Sequence, residues 1–391
     1  MLALDGIVVL DLSRRYPGAY SSMFLADFGA TVIKVDPPGS EFISPSVDTS
    51  GEAFPAHLPL DRNKQSVVIN LKSEAGREVF LRLVQRADVL VEGFRPGVMD
   101  RLGVGFARLS EVNPRLIYCA QSGYGQDGPY VELAGHDWNY CAVGGVQSLI
   151  GEPDGPPCLT SNFLADMAGA GLHGTIGILI ALLARDRTGR GQFVDISYLD
   201  GVISLLALES PLYFLTGKVP HRGKTYTTGS MPWAHCYECR DGEYFSVGAM
   251  EAHLWANLCR ALGREDFIPH QFAEPPKRDE IFAAFRQLFL TRTRDEWWEF
   301  FKDKNTCVGP VLNLDETFRD PQVLARQMVV EMEHPTVGKV RQIGIPIKLS
   351  DTPGQIRRLG VVVGSDTDAV FADLGYAPDE ITRLRAAGAI G

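Results

Sequence analysis

Three side chains in this sequence have the types and surroundings of an acid–base site. His136 lies in Gly135-His136-Asp137-Trp138-Asn139-Tyr140, Asp166 in Asn162-Phe163-Leu164-Ala165-Asp166-Met167-Ala168-Gly169, and Glu251 ends Ser246-Val247-Gly248-Ala249-Met250-Glu251. Histidine changes its charge near neutral pH, and a neighbouring carboxylate can hold its ring ready to exchange a proton. His136 and Asp166 each open a segment that reads as a helix, and Glu251 follows a strand pattern. Alone, each has an ordinary reading: a cap, a carboxylate offsetting a helix dipole, a first-turn residue. Jointly they predict one acid–base site. Metal is not indicated, because the C-x-x-C of Cys236 and Cys239 has no second pair among Cys119, Cys141, Cys158, Cys259 and Cys307.

A second set of residues could hold an anionic ligand. Lys34 precedes the turn Asp36-Pro37-Pro38-Gly39, Arg62-Asn63-Lys64 precedes a strand pattern, and Phe94-Arg95-Pro96-Gly97 follows one. Basic groups at strand ends either grip phosphates or are solvated loop charges, and both readings stay open. Gly123-Tyr124-Gly125-Gln126-Asp127-Gly128 matches G-x-G-x-x-G after a strand. Pro129 follows where the dinucleotide fingerprint needs an opening helix, and the match lies far from the first βαβ unit. It reads as a loop at a strand's carboxyl end that touches a ligand.

The elements that must carry these residues alternate strand and helix. Gly6–Leu12 and Thr31–Val35 are apolar strand patterns around a helix at Ala19–Gly29. Ser66–Leu71, a helix from Ser73 to Arg86 capped by Ser73, Ala87–Val91 and Arg115–Ala120 continue the series. Such alternation predicts a mostly parallel sheet with right-handed crossovers, in which ligands favour the carboxyl ends of the strands. Phe163–Arg187 reads as helical and rich in small residues, its apolar run Gly174–Ala184 as a buried helix, Gln192–Ser197 as a strand, and Leu199–Leu215 as a largely apolar helix. The texture changes near residue 220: a loop at His221–Tyr237, a strand at Glu243–Val247, and helices near 252–262, 278–290 and 293–303. Cys307–Leu314 and Pro335–Leu349 read as β structure, and Asp366–Ala387 as a terminal helical region. The predicted organisation is a large α/β domain over 1–200, a smaller α+β domain over 220–325, and a return to the large domain over 326–391.

A net charge of −10 excludes nucleic acid as the principal partner, since phosphate chains need a concentrated basic surface. The apolar run Gly174–Ala184 is too short to span a bilayer, so no membrane partner is expected. Seven Cys in a long chain suggest free thiols in a reducing compartment. The opening residues run into a strand pattern without a secretory leader, and Ala389-Ile390-Gly391 is no peroxisomal tripeptide, so the cytoplasm is expected.

The sequence resembles the family III CoA-transferase superfamily, which includes formyl-CoA transferase, carnitine CoA-transferase and α-methylacyl-CoA racemase. The resemblance is carried by Leu10-Asp11-Leu12-Ser13 through Pro17-Gly18, Leu25 through Gly39, Asp61-Arg62-Asn63-Lys64-Gln65-Ser66, Glu92-Gly93-Phe94-Arg95-Pro96-Gly97, Gly123-Tyr124-Gly125 and Asp166. It implies a Rossmann-like large domain, a small domain, and a homodimer of interlocked subunits. It also implies an acyl-CoA substrate lying along the large domain, with contacts from Lys34, Arg62, Lys64, Phe94, Arg95 and the Gly123–Gly125 loop. Pro37 stands where some relatives have Arg. No cofactor is implied beyond the CoA of the substrate.

Within the superfamily, Gly135-His136-Asp137 and Gly248-Ala249-Met250-Glu251 match the racemases, and the Gly-rich loop of formyl-CoA transferase at the second place is absent. Ala252-His253 and Trp138 depart from the usual racemase residues. The resemblance therefore implies a racemase acting on a 2-methyl-branched acyl-CoA, with His136, supported by Glu251, on one side of the carbon and Asp166 on the other. Backbone N–H groups of Asp166–Gly169 are the expected stabilisers of the enolate oxygen. The alternative is an acyl-CoA:carboxylate CoA-transferase in which Asp166 attacks the thioester. A CoA-binding protein without catalysis is the third reading.

Overall fold

The structure, a computed structural model, describes residues 1–40 and 51–391. The chain divides into two compact units. The first comprises Met1–Gly144, Thr160–Leu205 and Pro321–Gly391, and the second Gly145–Leu159 and Leu206–Asp320.

The first unit is built on six parallel strands: β1 (Val8–Asp11), β2 (Thr31–Asp36), β3 (Lys64–Val68), β4 (Val89–Glu92), β5 (Ile117–Ser122) and β6 (Phe193–Ser197), in the order β3-β2-β1-β4-β5-β6. Side chains alternate across a strand, and here both faces are apolar. Leu10, Ile33, Leu90 and Tyr118 meet Phe80, Leu83, Val370 and Phe371 on one face, while Val9, Val32, Val89 and Ile117 meet Leu25, Ile178 and Ala181 on the other. Coverage on both sides explains the near-continuous apolar runs of these strands. The strand order reverses between β1 and β4, so the loops after these two strands flank a crevice at the carboxyl edge, where doubly wound sheets bind ligands. The Arg14 guanidinium sits 5.1 Å from the Phe94 ring, linking the loops after β1 and β4.

Ser73 caps the Glu74–Arg86 helix as read from the sequence, its hydroxyl accepting the Gly76 N–H at 3.0 Å. The segment carrying Asp166 is more unusual. Phe163–Leu172 winds as a π-helix and continues as an α-helix over His173–Thr188. Its Gly and Ala face packs inward. The Ser21 hydroxyl donates to the Gly171 carbonyl at 2.7 Å, and a Cβ at Gly201 would run into the Gly169 carbonyl. Only glycine lets these two backbones approach so closely.

Two expectations change here. The run Gly174–Ala184 is not buried throughout: Ile176, Leu179, Ile180 and Leu183 are exposed, because packing uses the Gly and Ala stripe and leaves the large aliphatic side chains outside. Among the described residues the Phe163–Thr188 helix is long and apolar enough to cross a membrane, with 33% of its most apolar stretch buried. Leu199–Leu215 is two helices, Tyr198–Ser204 and Glu209–Thr216. Pro211 lacks the N–H that a continuous helix would bond to Ala207, so the chain restarts just before it.

The second unit pairs β7 (Ala234–Glu238), β8 (Tyr244–Gly248) and β9 (Val308–Pro310) antiparallel. β7 begins inside the stretch expected to be loop. Trp233, Tyr237, Phe245, Trp255, Phe285, Phe289, Trp297 and Phe301 make its core. The Tyr237 and Phe289 rings stack at 4.9 Å. Cys239 is buried there and Cys236 exposed, both as free thiols.

Candidate active site

His136 precedes the first turn of the Asp137–Val143 helix, with extended backbone, and its N–H donates to the Asn139 side chain at 3.0 Å. Its side chain is exposed. The next residue turns inward: Asp137 is 2% exposed. Asp137 Oδ2 accepts the backbone N–H groups of both Ala165 and Asp166 at 2.8 Å, and Cys141 Sγ lies 3.3 Å from its Oδ1. One carboxylate thus joins the turn carrying His136 to the turn carrying Asp166. Trp138 adds a second tie, its Nε1 donating to the Ser161 carbonyl at 2.9 Å.

Asp166 is half-buried in the first turn of the π-helix. π-helical turns are rare and concentrate at functional sites. Burial, and then the like charge of Asp137, push its carboxyl up to about 7. It can therefore hold or release a proton at neutral pH. Tyr140, beside it on the Asp137–Val143 helix, has its hydroxyl pushed up to about 12 by burial, with Tyr124 and Asp166 adding to the shift and Arg95 opposing it.

The expected oxyanion donors at Asp166–Gly169 are corrected by this geometry. The Asp166 N–H is taken by Asp137, and the Met167 N–H donates to the Asn162 carbonyl at 3.3 Å. The π-helical start and the Asp137 carboxylate use these two groups before a substrate could. Glu251 lies in the second unit, exposed after β8, where its carbonyl accepts the Trp255 N–H at 2.9 Å as the Ala252–Ala261 helix begins.

The ligand-binding set separates into three groups. Arg62 is fully buried. It forks onto Asp27 through Nε at 3.0 Å and Nη2 at 2.6 Å, and donates from Nη1 to the Ile343 carbonyl at 2.5 Å. Lys64 is 1% exposed and bonds Asp11 at 2.9 Å and the Ala19 carbonyl at 3.1 Å. Burial alone would raise the Asp11 carboxyl, but Lys64, Lys34 and the hydroxyls of Ser13 and Ser22 hold it down at about 2. The expected phosphate contacts of Arg62 and Lys64 are thus replaced by interior ion pairs, since both donor heads face buried acceptors.

Lys34 remains at a surface. It bonds Asp61 at 2.9 Å and lines a cavity of about 520 Å³ with Arg14, Arg15, Tyr16, Asp36 and Phe54. Burial, only partly offset by Lys34, pushes Asp36 up to about 6, and its Oδ2 has no hydrogen-bond partner among the described residues. Arg14 and Arg15 were not singled out in the sequence; the turn after β1 carries them, and two adjacent Arg at a strand's carboxyl end are the signal that could have found them.

The third group frames Tyr140. Arg95 is exposed and Phe94 half-buried, and the Phe94 N–H is held by Glu92 at 2.7 Å. The Tyr140 ring lies edge-on to Tyr124 at 5.1 Å and to Tyr198 at 5.2 Å. A Cβ at Gly123 would overlap the Tyr140 ring, so the Gly123–Gly125 loop is shaped by a close approach to this tyrosine. Gly125 has φ of 88°, in the region that favours glycine.

The pattern that defines CoA-transferase family III matches residues 4–367. This chain belongs to that family. It is 36% identical to human alpha-methylacyl-CoA racemase over 98% of this chain and 96% of the relative. It is also 34% identical to a formyl-CoA:oxalate CoA-transferase of Rhodopseudomonas palustris, over 99% and 97%. Among solved structures, a CAIB/BAIF family protein from Brucella suis superposes with a TM-score of 0.82 at 31% identity, covering 95% of this chain and 99% of that one. The family and the Rossmann-like α/β fold follow, and the relatives divide between two reactions.

Proposed function

We propose that the protein is an acyl-CoA racemase or epimerase that inverts the carbon next to the thioester of a 2-methyl-branched acyl-CoA. The observation that carries this reading is the Asp166 carboxyl, held at about 7 and tied through Asp137 to the turn bearing His136. One base breaks the Cα–H bond and takes the proton, the electron pair passes onto the thioester oxygen as an enolate, and the second group returns a proton on the opposite face. Asp166 and His136 serve as the pair, each supplying about 10²–10⁴-fold. Glu251 is proposed from its sequence motif as the third acid–base group. The reaction is redox-neutral and calls for no cofactor beyond the CoA of the substrate.

The cavity with Arg14, Arg15 and Lys34 suits the anionic end of CoA, and its position at the carboxyl ends of β1 and β2 supports that assignment. Solvent deuterium is expected to wash into the α position of 2-methylacyl-CoAs with the wild-type protein. His136→Ala should stop that exchange for the enantiomer whose proton His136 removes. Absence of exchange in the wild type across several acyl chains sinks the reading.

CoA transfer is the second reading, favoured by the 34% identity to the Rhodopseudomonas transferase. There Asp166 attacks the thioester carbon, the C–S bond breaks, and a mixed anhydride forms as CoA leaves as thiolate. Hydroxylamine trapping of Asp166 in the presence of acyl-CoA selects this reading.

A homodimer is part of the same proposal. Phe163, Ile180 and Leu183 are each at least 60% exposed on the first unit, and Phe214 and Leu215 at least 80% on the second. Large apolar side chains left this exposed are commonly covered by a partner, and a second copy of the chain is the proposed cover. Sedimentation at micromolar concentration should give twice the chain mass, and Leu183→Lys with Ile180→Lys should halve it.

A further inference from the structure

We propose that Asp137 is a positioning residue of this site: its buried carboxylate, following His136 directly in sequence and accepting the N–H groups of Ala165 and Asp166, fixes the Asp166 carboxyl against the imidazole-bearing turn. The proposal rests on the reading that Asp166 performs the chemistry, whether as acid–base or as nucleophile.

Capping alone does not explain the residue. Asp137 is 2% exposed, and its carboxylate meets two peptide N–H groups and one thiol. An asparagine offers the same carbonyl oxygen to both N–H groups without burying a charge, and burying an uncompensated charge is costly. What the charge adds is its field on Asp166, whose own backbone N–H it accepts at 2.8 Å. Besides Asp137, the titratable groups interacting with Asp166 are Tyr140 and Cys141 on the Asp137–Val143 helix and Tyr198 at the start of the Tyr198–Ser204 helix. Tyr20 of the Tyr16–Asp27 helix packs at Gly171, and His173 on the Asp166 helix itself turns its Nδ1 to the Ala168 carbonyl at 2.9 Å. Arg95 acts on the Tyr140 hydroxyl. Burial comes first and the like charge of Asp137 second, so the carboxylate that orients Asp166 also helps keep it protonated to a higher pH.

The geometry separates two jobs that substitutions can split. Asp137→Asn keeps the size and one acceptor oxygen but removes the charge. Asp137→Ala removes both. The Asp166 titration is read directly in the full-length protein by infrared difference spectroscopy of its carboxyl stretch, with Asp166→Asn as the blank, and independently by the pH profile of kcat.

Asp137→Asn is expected to lower the Asp166 midpoint by at least half a pH unit, move the matching limb of the kcat profile equally, and leave KM for acyl-CoA within about threefold. Asp137→Ala should cost at least about tenfold in kcat with a similarly small change in KM, because a misplaced reacting group lowers turnover more than binding. Should Asp137→Ala fail to fold, the Asp137→Asn titration carries the decision alone. An unmoved Asp166 midpoint in Asp137→Asn overturns the proposal and leaves Asp137 a structural cap. Because the infrared midpoint needs no turnover, a protein inactive on every acyl-CoA offered would defeat the proposed reaction without touching this result.

Discussion

Asp166→Asn is expected to slow solvent-deuterium exchange at the α carbon by about 10²–10⁴-fold, the usual contribution of one positioned acid or base, while CoA still binds. The pH dependence follows from the same carboxyl, held at about 7 by burial and by Asp137. Where Asp166 takes the proton it must be ionised, so that direction speeds up as pH rises through about 7. Where Asp166 returns the proton it must be protonated, so the opposite direction slows over the same range. The two enantiomers should therefore give limbs of opposite slope assigned to one group. Rate profiles measured from each enantiomer check this, and parallel limbs would remove Asp166 from the reaction.

Stability should move against activity in this variant. A carboxyl whose folded pKa lies above its unfolded value keeps its proton in the fold while the unfolded chain releases it. Rising pH from about 4 to about 7 thus favours unfolding, and the loss persists above that window. Asp166→Asn has no charge to bury. Its unfolding midpoint should match wild type below about pH 4 and exceed it above about pH 7. A variant that loses turnover and gains stability only at high pH points to a strained acid at a working site.

The parts that were legible in the sequence are those fixed by neighbours along the chain. The inner strands β1, β2, β4 and β5 announce themselves because both faces are covered, and Ser73 announces its helix because a cap acts over three residues. The residue types of the proposed acid–base pair were legible at helix starts. The run Gly174–Ala184 misled because its apolar content records what is hydrophobic, not which surface another element reaches; the small residues packed and the large ones stayed outside. Asp137 was passed over since an acidic residue in a first turn is ordinary, and only the approach of Ala165 and Asp166 gives it a second role. Arg62 and Lys64 looked like ligand contacts because their partners, Asp27 and Asp11, are 35 and 53 residues away and meet them only when β1, β2 and β3 lie side by side.

That last correction has a large measurable consequence. Arg62→Ala is expected to destabilise the fold by about 3–5 kcal/mol, as removing one member of a buried ion pair does. The loss has identifiable parts: Asp27 keeps the Asn63 amide at 2.9 Å but loses the guanidinium fork, and the Ile343 carbonyl loses its donor. Replacing both members with apolar residues, Arg62→Met with Asp27→Leu, should recover part of the loss, because no buried charge is then left unpaired. A double-mutant cycle on unfolding midpoints reads the coupling. Arg95→Ala is the contrasting case, an exposed arginine whose loss should change stability by less than about 0.5 kcal/mol and appear in CoA affinity instead. If Arg62→Ala kept its stability and lost only CoA affinity, the ion pair would be dispensable to the fold and the ligand contact expected from the sequence would be restored. The opposite pattern assigns the nucleotide's charge to the arginines and lysine lining the cavity after β1 and β2, and leaves Arg62 and Lys64 the task of holding β3 beside them.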